Sequence, residues 1–170
     1  MPSATPSNQT GQAPTAAAGV LVILGASGDL TKRLLMPAVY NLACEGLLPD
    51  EFAVVGMALT DLTTAEFRAG QRQDIAKFTT RKTIDEDRWR WLESRLHYTP
   101  GNFADPVAYD RLMKLVLEVG QATGAAGNTL IYLAISPDFF AAVNQRLDAA
   151  GFTRMPGLKR IIVEKPFGKD

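Results

Sequence analysis

The chain has 170 residues, of which 46% are hydrophobic and 21% charged, proportions that are typical of one globular domain. Eighteen basic residues balance eighteen acidic ones, so no net charge draws the chain to nucleic acid or to an anionic membrane. One cysteine and one histidine cannot form an internal disulfide and make a poor metal site. The sequence has no apolar run near the roughly 20 residues of a membrane span, and its start lacks the basic and apolar regions of a secretory signal. We therefore expect a cytoplasmic protein without a metal.

The first nineteen residues differ in composition from the rest. They are rich in Ala, Thr, Pro, Ser and Gly, and Met1 is their largest apolar residue. Such a segment buries too little apolar surface to offset the entropy of ordering it. We expect residues 1–19 to be a flexible tail that ends at Gly19, and residues 20–170 to be a dinucleotide-binding domain.

Beyond the tail, short apolar runs alternate with amphipathic stretches. The runs predict strands at residues 20–24, 52–58, 97–99, 129–136 and 160–165. The stretches between them predict helices at residues 30–45, 106–122 and 137–150, and two more that begin at capping boxes, Thr63 with Glu66 and Thr83 with Glu86. Asp105 is the expected cap of the helix that starts at Pro106, and Pro37 is expected to break or kink the first helix.

This alternation predicts an α/β fold. Long runs that are apolar throughout suit strands that are covered on both faces, and strands separated by helices imply a parallel sheet. The expected order is β-α-β-α-α-β-α-β-α-β, a Rossmann-like doubly wound sheet.

The first predicted strand leads into GASGDLT, which has glycines at positions 25 and 28 and a small residue at 31. Glycines here permit a tight turn and close approach of the backbone to a pyrophosphate, which the amides of the next helix would face. The spacing departs from G-x-G-x-x-G, so a glycine-rich turn without a ligand remains an alternative. Asp29 would repel a pyrophosphate, and we expect it to point away and fix the loop backbone.

The segment after the second strand normally distinguishes NAD from NADP. Residues 56–61 contain no basic side chain; Thr60 lies at this position, and Asp61 is the nearest acid. This composition disfavours a 2′-phosphate.

Two further segments follow predicted strands. The loop after the fourth strand begins ISPDFF, with Pro137 either beside the nicotinamide or only starting a helix. The last strand ends in EKPFG, where Pro166 restrains the backbone that carries Lys165. Because ligands of parallel sheets bind at the carboxyl ends of strands, Lys165 is the candidate catalytic residue.

Other features fit structural roles better. We expect His97, at the head of a weak strand, to be structural or on the surface. Cys44 fits a core stripe with Tyr40. In the segment of residues 88–95, the mixture of basic and aromatic residues resembles a nucleic-acid site, but Trp89, Leu92 and Leu96 fit the buried face of an amphipathic helix.

Several of these motifs together resemble those of the glucose-6-phosphate dehydrogenase family. They are GASGDLTKRLLMP, the pattern from Asn41 to Pro49, VVG, LAISPDFF and VEKPFGKD, and they extend in order over residues 20–170. The resemblance implies oxidation of glucose 6-phosphate to 6-phosphoglucono-lactone with NADP or NAD, in the pentose phosphate pathway.

The resemblance also implies roles for individual residues. The turn made of Gly25, Ala26, Ser27, Gly28, Asp29 and Leu30 would hold the cofactor pyrophosphate, and Lys165 would bridge substrate and cofactor, with Thr60 and Pro137 also at the cofactor. The family commonly has Arg where this chain has Leu59, and that Arg grips the 2′-phosphate of NADP. Its loss favours NAD or dual use.

The family's general base is a histidine in an R-x-x-H-Y-L-G-K segment after EKPFG, which these 170 residues do not contain. The substrate-phosphate site and the α+β domain that carries the oligomer interface are expected beyond Asp170. We therefore expect the 170 residues alone to be inactive, and a homo-oligomer only with that domain. The alternatives are a sugar dehydrogenase of the Gfo/Idh/MocA type and a dinucleotide-binding module without catalytic activity.

Overall fold

The computed structural model describes residues 15–125 and 127–164. Five strands form one sheet: β1 (Gly19–Leu24), β2 (Phe52–Ala58), β3 (Leu96–Pro100), β4 (Thr129–Leu133) and β5 (Lys159–Val163). The α-helices are α1 (Met36–Cys44), α2 (Thr64–Phe78), α3 (Glu86–Glu93), α4 (Pro106–Thr123) and α5 (Phe140–Ala149). No helix within the described ranges is both long and apolar enough to cross a membrane.

The strands are all parallel and lie in the order β3-β2-β1-β4-β5. This is the strand order of a Rossmann-like doubly wound sheet. The predicted fold class and sequence of elements are confirmed.

Two apolar cores lie on opposite faces of the sheet. One joins alternate residues of β1 and β2, among them Val22 and Val55, to α4 and α5. The other joins the intervening residues, among them Ile23 and Val54, to α1, α2 and α3. Because consecutive side chains of a strand point to opposite faces, both cores draw on the same continuously apolar runs.

The predicted end of the tail is wrong at Gly19. Gly19 is the first residue of β1 and pairs with Phe52. The backbone N–H of Ala16 donates to Leu47 O at 2.9 Å, and Asn128 Nδ2 donates to Ala18 O at 2.9 Å. These hydrogen bonds outweigh the poor apolar content of the segment. Residues 1–14 lie outside the described residues.

The first helix shows how the chain accommodates Pro37. A π-helical turn (Thr31–Leu35) precedes α1, and the N–H of Met36 donates to Thr31 O. Pro37 lacks an N–H and its ring needs room, and it lies at the start of α1 directly after this widened turn. The predicted irregularity is confirmed, although the helix continues through it.

Only one of the two predicted capping boxes forms. Thr63 and Glu66 cap each other reciprocally at the start of α2. The box expected from Thr83 and Glu86 is wrong, because Asp85 caps α3 by accepting hydrogen bonds from the N–H groups of Asp87 and Arg88. A carboxylate one residue before the helix reaches these amides without help from Thr83.

Residues expected to be structural lie in or beside the cores. Trp89, Leu92 and Leu96 are buried, although α3 ends at Glu93 and Leu96 belongs to β3. Cys44 is half-buried against the core that contains Tyr40.

Candidate cofactor site

The turn after β1 accepts only glycine at its first position. Gly25 has a φ of +91°, and a Cβ there would lie 2.1 Å from Ala134 O. The N–H groups of Gly25 and Ala26 both donate to Met57 O, at 2.8 and 3.2 Å. The N–H of Ala134 donates to Leu24 O at 2.8 Å. The turn is therefore fixed between the ends of β2 and β4.

Thr31 restrains the backbone of the glycine turn. From the sequence it is predicted only to be a small residue that lets the helix pack on the strand. Its side chain is fully buried, and its Oγ1 donates to Gly25 O at 3.1 Å. The N–H of Gly28 donates to the same oxygen at 2.9 Å. A hydroxyl three residues after Gly28, at the start of the helix, is the signal that could have identified it.

Asp29 points away from the turn as expected, but it does not fix the loop backbone. Its Oδ1 accepts a hydrogen bond from Arg33 Nε at 2.8 Å, one helical turn later, in an exposed ion pair. This contact is the local (i, i+4) pairing that helices favour. Thr31 performs the role predicted for Asp29, because its hydroxyl bonds to the loop backbone.

The turn is partly exposed to solvent, and its backbone comes close at Gly28. Ser27, Gly28 and Leu30 are half-buried, and a Cβ at Gly28 would meet only backbone oxygens, Gly25 O at 3.1 Å and Ala134 O at 4.0 Å. The first amides of a helix have no carbonyl partner within it and carry partial positive charge. The residues of this turn therefore fit a diphosphate.

The segment after β2 lies beside the turn. Thr60 Oγ1 is 2.9 Å from Ser27 Oγ, which links two segments 33 residues apart. Leu59 is 66% exposed and Asp61 is also exposed. Arg33, one of the two basic residues of the adjoining helical turn, pairs with Asp29 and lies over the Phe78 ring at 5.4 Å. The loop after β2 thus exposes one apolar side chain, Leu59, and one acidic side chain, Asp61.

The loop after β4 is the third segment of the candidate site, beside the glycine turn and the loop after β2. A Cβ at Gly25 would lie 3.1 Å from Ile135 Cγ2, so this loop touches the glycine turn. Pro137 is exposed and begins a short 3₁₀-helix (Pro137–Phe139), which Ser136 caps through Asp138 N. Pro137 thus follows the carboxyl end of β4, on the same side of the sheet as the turn, and it is also the start of a helix.

The predicted catalytic residue, Lys165, lies outside the described residues. The chain before it is described as far as Glu164, whose carboxylate accepts a hydrogen bond from the hydroxyl of Tyr132 in β4. Burial, reinforced by the Glu164 carboxylate, raises the pKa of Tyr132 to about 12, so this phenol is a donor at neutral pH. The hydrogen bond fixes the residue that precedes Lys165.

His97 belongs to none of these three segments. It is half-buried in β3, at the opposite edge of the sheet from β5. Burial, and then the positive charge of Arg68, lower its pKa. Within residues 15–125 and 127–164, no three His, Cys, Asp or Glu side chains form a group that could hold a metal ion.

Comparisons with known proteins identify the family of the chain. The family model described as "Glucose-6-phosphate dehydrogenase, NAD binding domain" matches residues 22–170. The glucose-6-phosphate 1-dehydrogenase of Chlamydia muridarum is 40% identical over 156 residues, which are 89% of this chain and 31% of that protein. The enzyme of Bacillus subtilis is 33% identical over 162 residues, 95% of this chain and 31% of its own.

Solved structures show the same relationship. A glucose-6-phosphate dehydrogenase in complex with glucose-6-phosphate superposes with a TM-score of 0.78 and 29% identity, over 92% of this chain and 32% of that one. The Mycobacterium avium glucose-6-phosphate 1-dehydrogenase gives 0.74 and 28%, over 89% and 31%. The family expected from the motifs is confirmed, and the chain spans about a third of the length of these relatives.

Proposed function

The chain belongs to the glucose-6-phosphate dehydrogenase family, and we propose that it binds NAD or NADP across the carboxyl ends of β1, β2 and β4. The observation that carries this proposal is the turn at Gly25. The turn is held by hydrogen bonds to Met57 and from Thr31 and by its close contact with Ala134, while Ser27, Gly28 and Leu30 stay partly exposed to solvent. A preformed turn of this kind binds a diphosphate without the cost of ordering it.

We propose further that NADP has no advantage over NAD. A 2′-phosphate is bound best by an arginine that pairs with it through two hydrogen bonds. At the end of β2 this chain has Leu59, exposed and apolar, followed by the carboxylate of Asp61. Arg33 is committed to Asp29. A ribose with free hydroxyls meets no such mismatch.

The experiment is a titration of the 170-residue chain with NAD and with NADP, repeated on Leu59→Arg. The new guanidinium should tighten NADP binding by about tenfold, worth ~1.4 kcal/mol, and leave NAD nearly unchanged. Leu158→Arg is the matched control, since Leu158 is 51% exposed and directly precedes β5, at the opposite end of the strands. A strong preference of the unaltered chain for NADP would contradict the proposal, as would equal gains in both variants.

These 170 residues match about a third of the length of their relatives. We propose that a protein of the relatives' full length, with this chain as its cofactor-binding part, oxidises glucose 6-phosphate to the lactone. The bound nicotinamide would accept the hydride from C1 of the sugar. The reaction also needs a general base, typically worth ~10²–10⁴ in rate. The only histidine of these 170 residues, His97, lies in β3 at the far edge of the sheet from β5. The 170-residue chain should bind dinucleotide without reducing it.

Lys165 is the residue that we propose orients the substrate. In an assay of the protein with its substrate-binding part, Lys165→Ala should lower kcat by about 10²-fold or more, since it removes a positioned donor at the reacting end of the sugar. The affinity for NAD should be little changed. Lys82→Ala, at an exposed lysine between α2 and α3, is the control. If Lys165→Ala retains full kcat, Lys165 does not orient the substrate.

A further inference from the structure

The loop that follows β2 is fixed by the phenol of a residue in the neighbouring strand. Tyr98 lies in β3 and is 5% exposed. Its hydroxyl donates to Thr60 O at 2.6 Å and is 3.2 Å from Ala58 O. A single O–H is thus shared by the two carbonyls that flank Leu59.

The ring of Tyr98 is itself held in place. It stacks on Phe67 with centroids 4.9 Å apart. A Cβ at Gly56 would lie 3.3 Å from Tyr98 Cδ2, so the absent side chain of Gly56 makes room for the ring. Thr64 Oγ1 accepts from the N–H of Tyr98 at 3.1 Å and donates to its carbonyl at 3.3 Å. The hydroxyl therefore has a single direction in which to point.

The loop is also tied to the glycine turn. The Oγ1 of Thr60 is 2.9 Å from Ser27 Oγ, while its carbonyl accepts from Tyr98. Two separate hydrogen bonds of Thr60, one to its carbonyl and one at its hydroxyl, thus connect it to Tyr98 in β3 and to Ser27. Leu59 directly precedes Thr60 and is exposed.

We propose that Tyr98 is a positioning residue for the adenosine half of the dinucleotide, and the inference rests on the proposed cofactor binding. By holding the carbonyls of Ala58 and Thr60, it sets the loop at a fixed separation from the glycine turn before any ligand binds. A loop that is already ordered adds affinity because binding does not have to order it. Tyr98 acts through the loop and touches no reacting atom.

The surroundings of Tyr98 keep its phenol in the donor form. Burial, followed by the nearby negative charge of Asp61, raises its pKa, against a smaller opposing effect of the hydrogen bond to Ala58. The hydroxyl therefore keeps its proton at neutral pH and continues to donate to Thr60.

The variant that tests this is Tyr98→Phe, which keeps the stacked ring and removes the O–H. Tyr109→Phe is the matched control. Tyr109 is fully buried in α4 on the opposite face of the sheet, and its hydroxyl donates to Phe103 O at 3.0 Å. Each variant loses one buried hydrogen bond of a tyrosine, and only the first belongs to the loop.

Two measurements are made on both variants and on the unaltered 170-residue chain. The first is amide hydrogen exchange at Leu59, Thr60 and Asp61 without ligand, which Tyr98→Phe should accelerate by about five- to tenfold, as expected for one lost hydrogen bond. The second is the affinity for NAD and for ADP-ribose, which should fall by about the same factor for both. Tyr109→Phe should change neither quantity by more than about twofold.

Ser27→Ala provides an independent readout, because it removes the other of these two hydrogen bonds of Thr60. If both residues act through the loop, the double variant should lose less affinity than the product of the two single losses. Multiplicative losses, unchanged exchange in Tyr98→Phe, or an equal effect of Tyr109→Phe would overturn the inference. If the unaltered chain binds neither NAD nor ADP-ribose, the proposed function fails, and the exchange data show separately whether Tyr98 orders the loop.

Discussion

The two halves of the sheet differ in how much of their surface the protein covers. In β1 and β2 every residue from Val20 to Leu24 and from Phe52 to Ala58 is buried. In β5 every residue after Lys159 is exposed, including the apolar Ile161, Ile162 and Val163. The helices α1 to α3 pack on the β1–β3 half of one face, and β5 is an edge strand.

This difference in coverage suggests that cofactor binding and substrate chemistry depend on different halves of the sheet. The covered half holds the glycine turn and the loop after β2, both fixed by hydrogen bonds to neighbouring strands. A site built there needs no partner to be shaped. The exposed half contains β5, which precedes Lys165 in the sequence and leaves an apolar edge strand uncovered. We therefore expect dinucleotide binding to be a property of the chain alone, and substrate chemistry to require more than this chain.

The largest effect should come from the turn itself. Gly25→Ala forces a Cβ to within 2.1 Å of Ala134 O at a φ of +91°, so β1 and β4 must separate. We expect a loss of about 4 kcal/mol or more in the free energy of unfolding, measured by urea denaturation, and loss of NAD binding. Gly70→Ala is the control, since nothing lies within 4 Å of its Cβ in α2, and it should stabilise the chain by about 0.5–1 kcal/mol. Equal effects would contradict the assigned strain.

Replacing an isoleucine by alanine should destabilise the chain more in the covered half of the sheet than in the exposed half. Ile23 in β1 is fully buried, whereas Ile162 in β5 is 38% exposed. Ile23→Ala should destabilise the chain by about 3 kcal/mol through lost burial and a cavity, and Ile162→Ala by less than about 1 kcal/mol. Denaturation midpoints of the two variants provide the test. Comparable losses would mean that β5 is covered in solution.

A smaller effect is expected at Thr31. Thr31→Val keeps the shape of the side chain and removes its hydrogen bond to Gly25 O, which retains the one from the N–H of Gly28. We expect a loss of about 1 kcal/mol in stability and a weaker affinity for NAD, both measured on the same preparation. Thr153→Val, which removes an exposed hydrogen bond to Asp148, should leave the affinity unchanged. Unaltered NAD binding in Thr31→Val would show that the turn keeps its shape without this restraint.

The smallest effect concerns pH. Because the pKa of His97 is lowered in the folded chain, the unfolded chain binds more protons just below about pH 6.5, and stability falls as the pH drops through that range. His97→Gln should remove this slope, which amounts to less than one proton. Denaturation curves at a series of pH values measure it. An unchanged slope in the variant would assign the dependence to other groups.

Sequence reasoning predicted the fold well because its signals are local. Apolar runs, the capping box at Thr63 and the Asp105 cap each follow from neighbouring residues, and all three appear in the structure. It was wrong where a contact joined distant segments, as where Asn128 holds Ala18 ahead of the predicted start of the domain. It was also wrong where two caps competed, since Asp85 replaced Thr83.

The same distinction applies to the candidate site. Glycine spacing after a strand predicts a cofactor role for residues 25–30, and its place after β2 predicts one for Thr60; both stay predictions. The restraints on them could not be predicted, because Thr31 and Tyr98 act through carbonyls whose positions only the folded chain defines. Nothing in the sequence around Tyr98 indicates that its hydroxyl reaches Thr60, 38 residues away.

The most direct test of the account is to map NAD binding onto the backbone amides of the 170-residue chain by NMR. If the dinucleotide binds at the glycine turn, the largest chemical-shift changes will cluster at Gly25 to Leu30 and Leu59 to Asp61, with weaker changes near Pro137. Changes that avoid the glycine turn, or that concentrate at the apolar groove lined by Ala16, Phe52 and Leu158 at the opposite end of the strands, would contradict it.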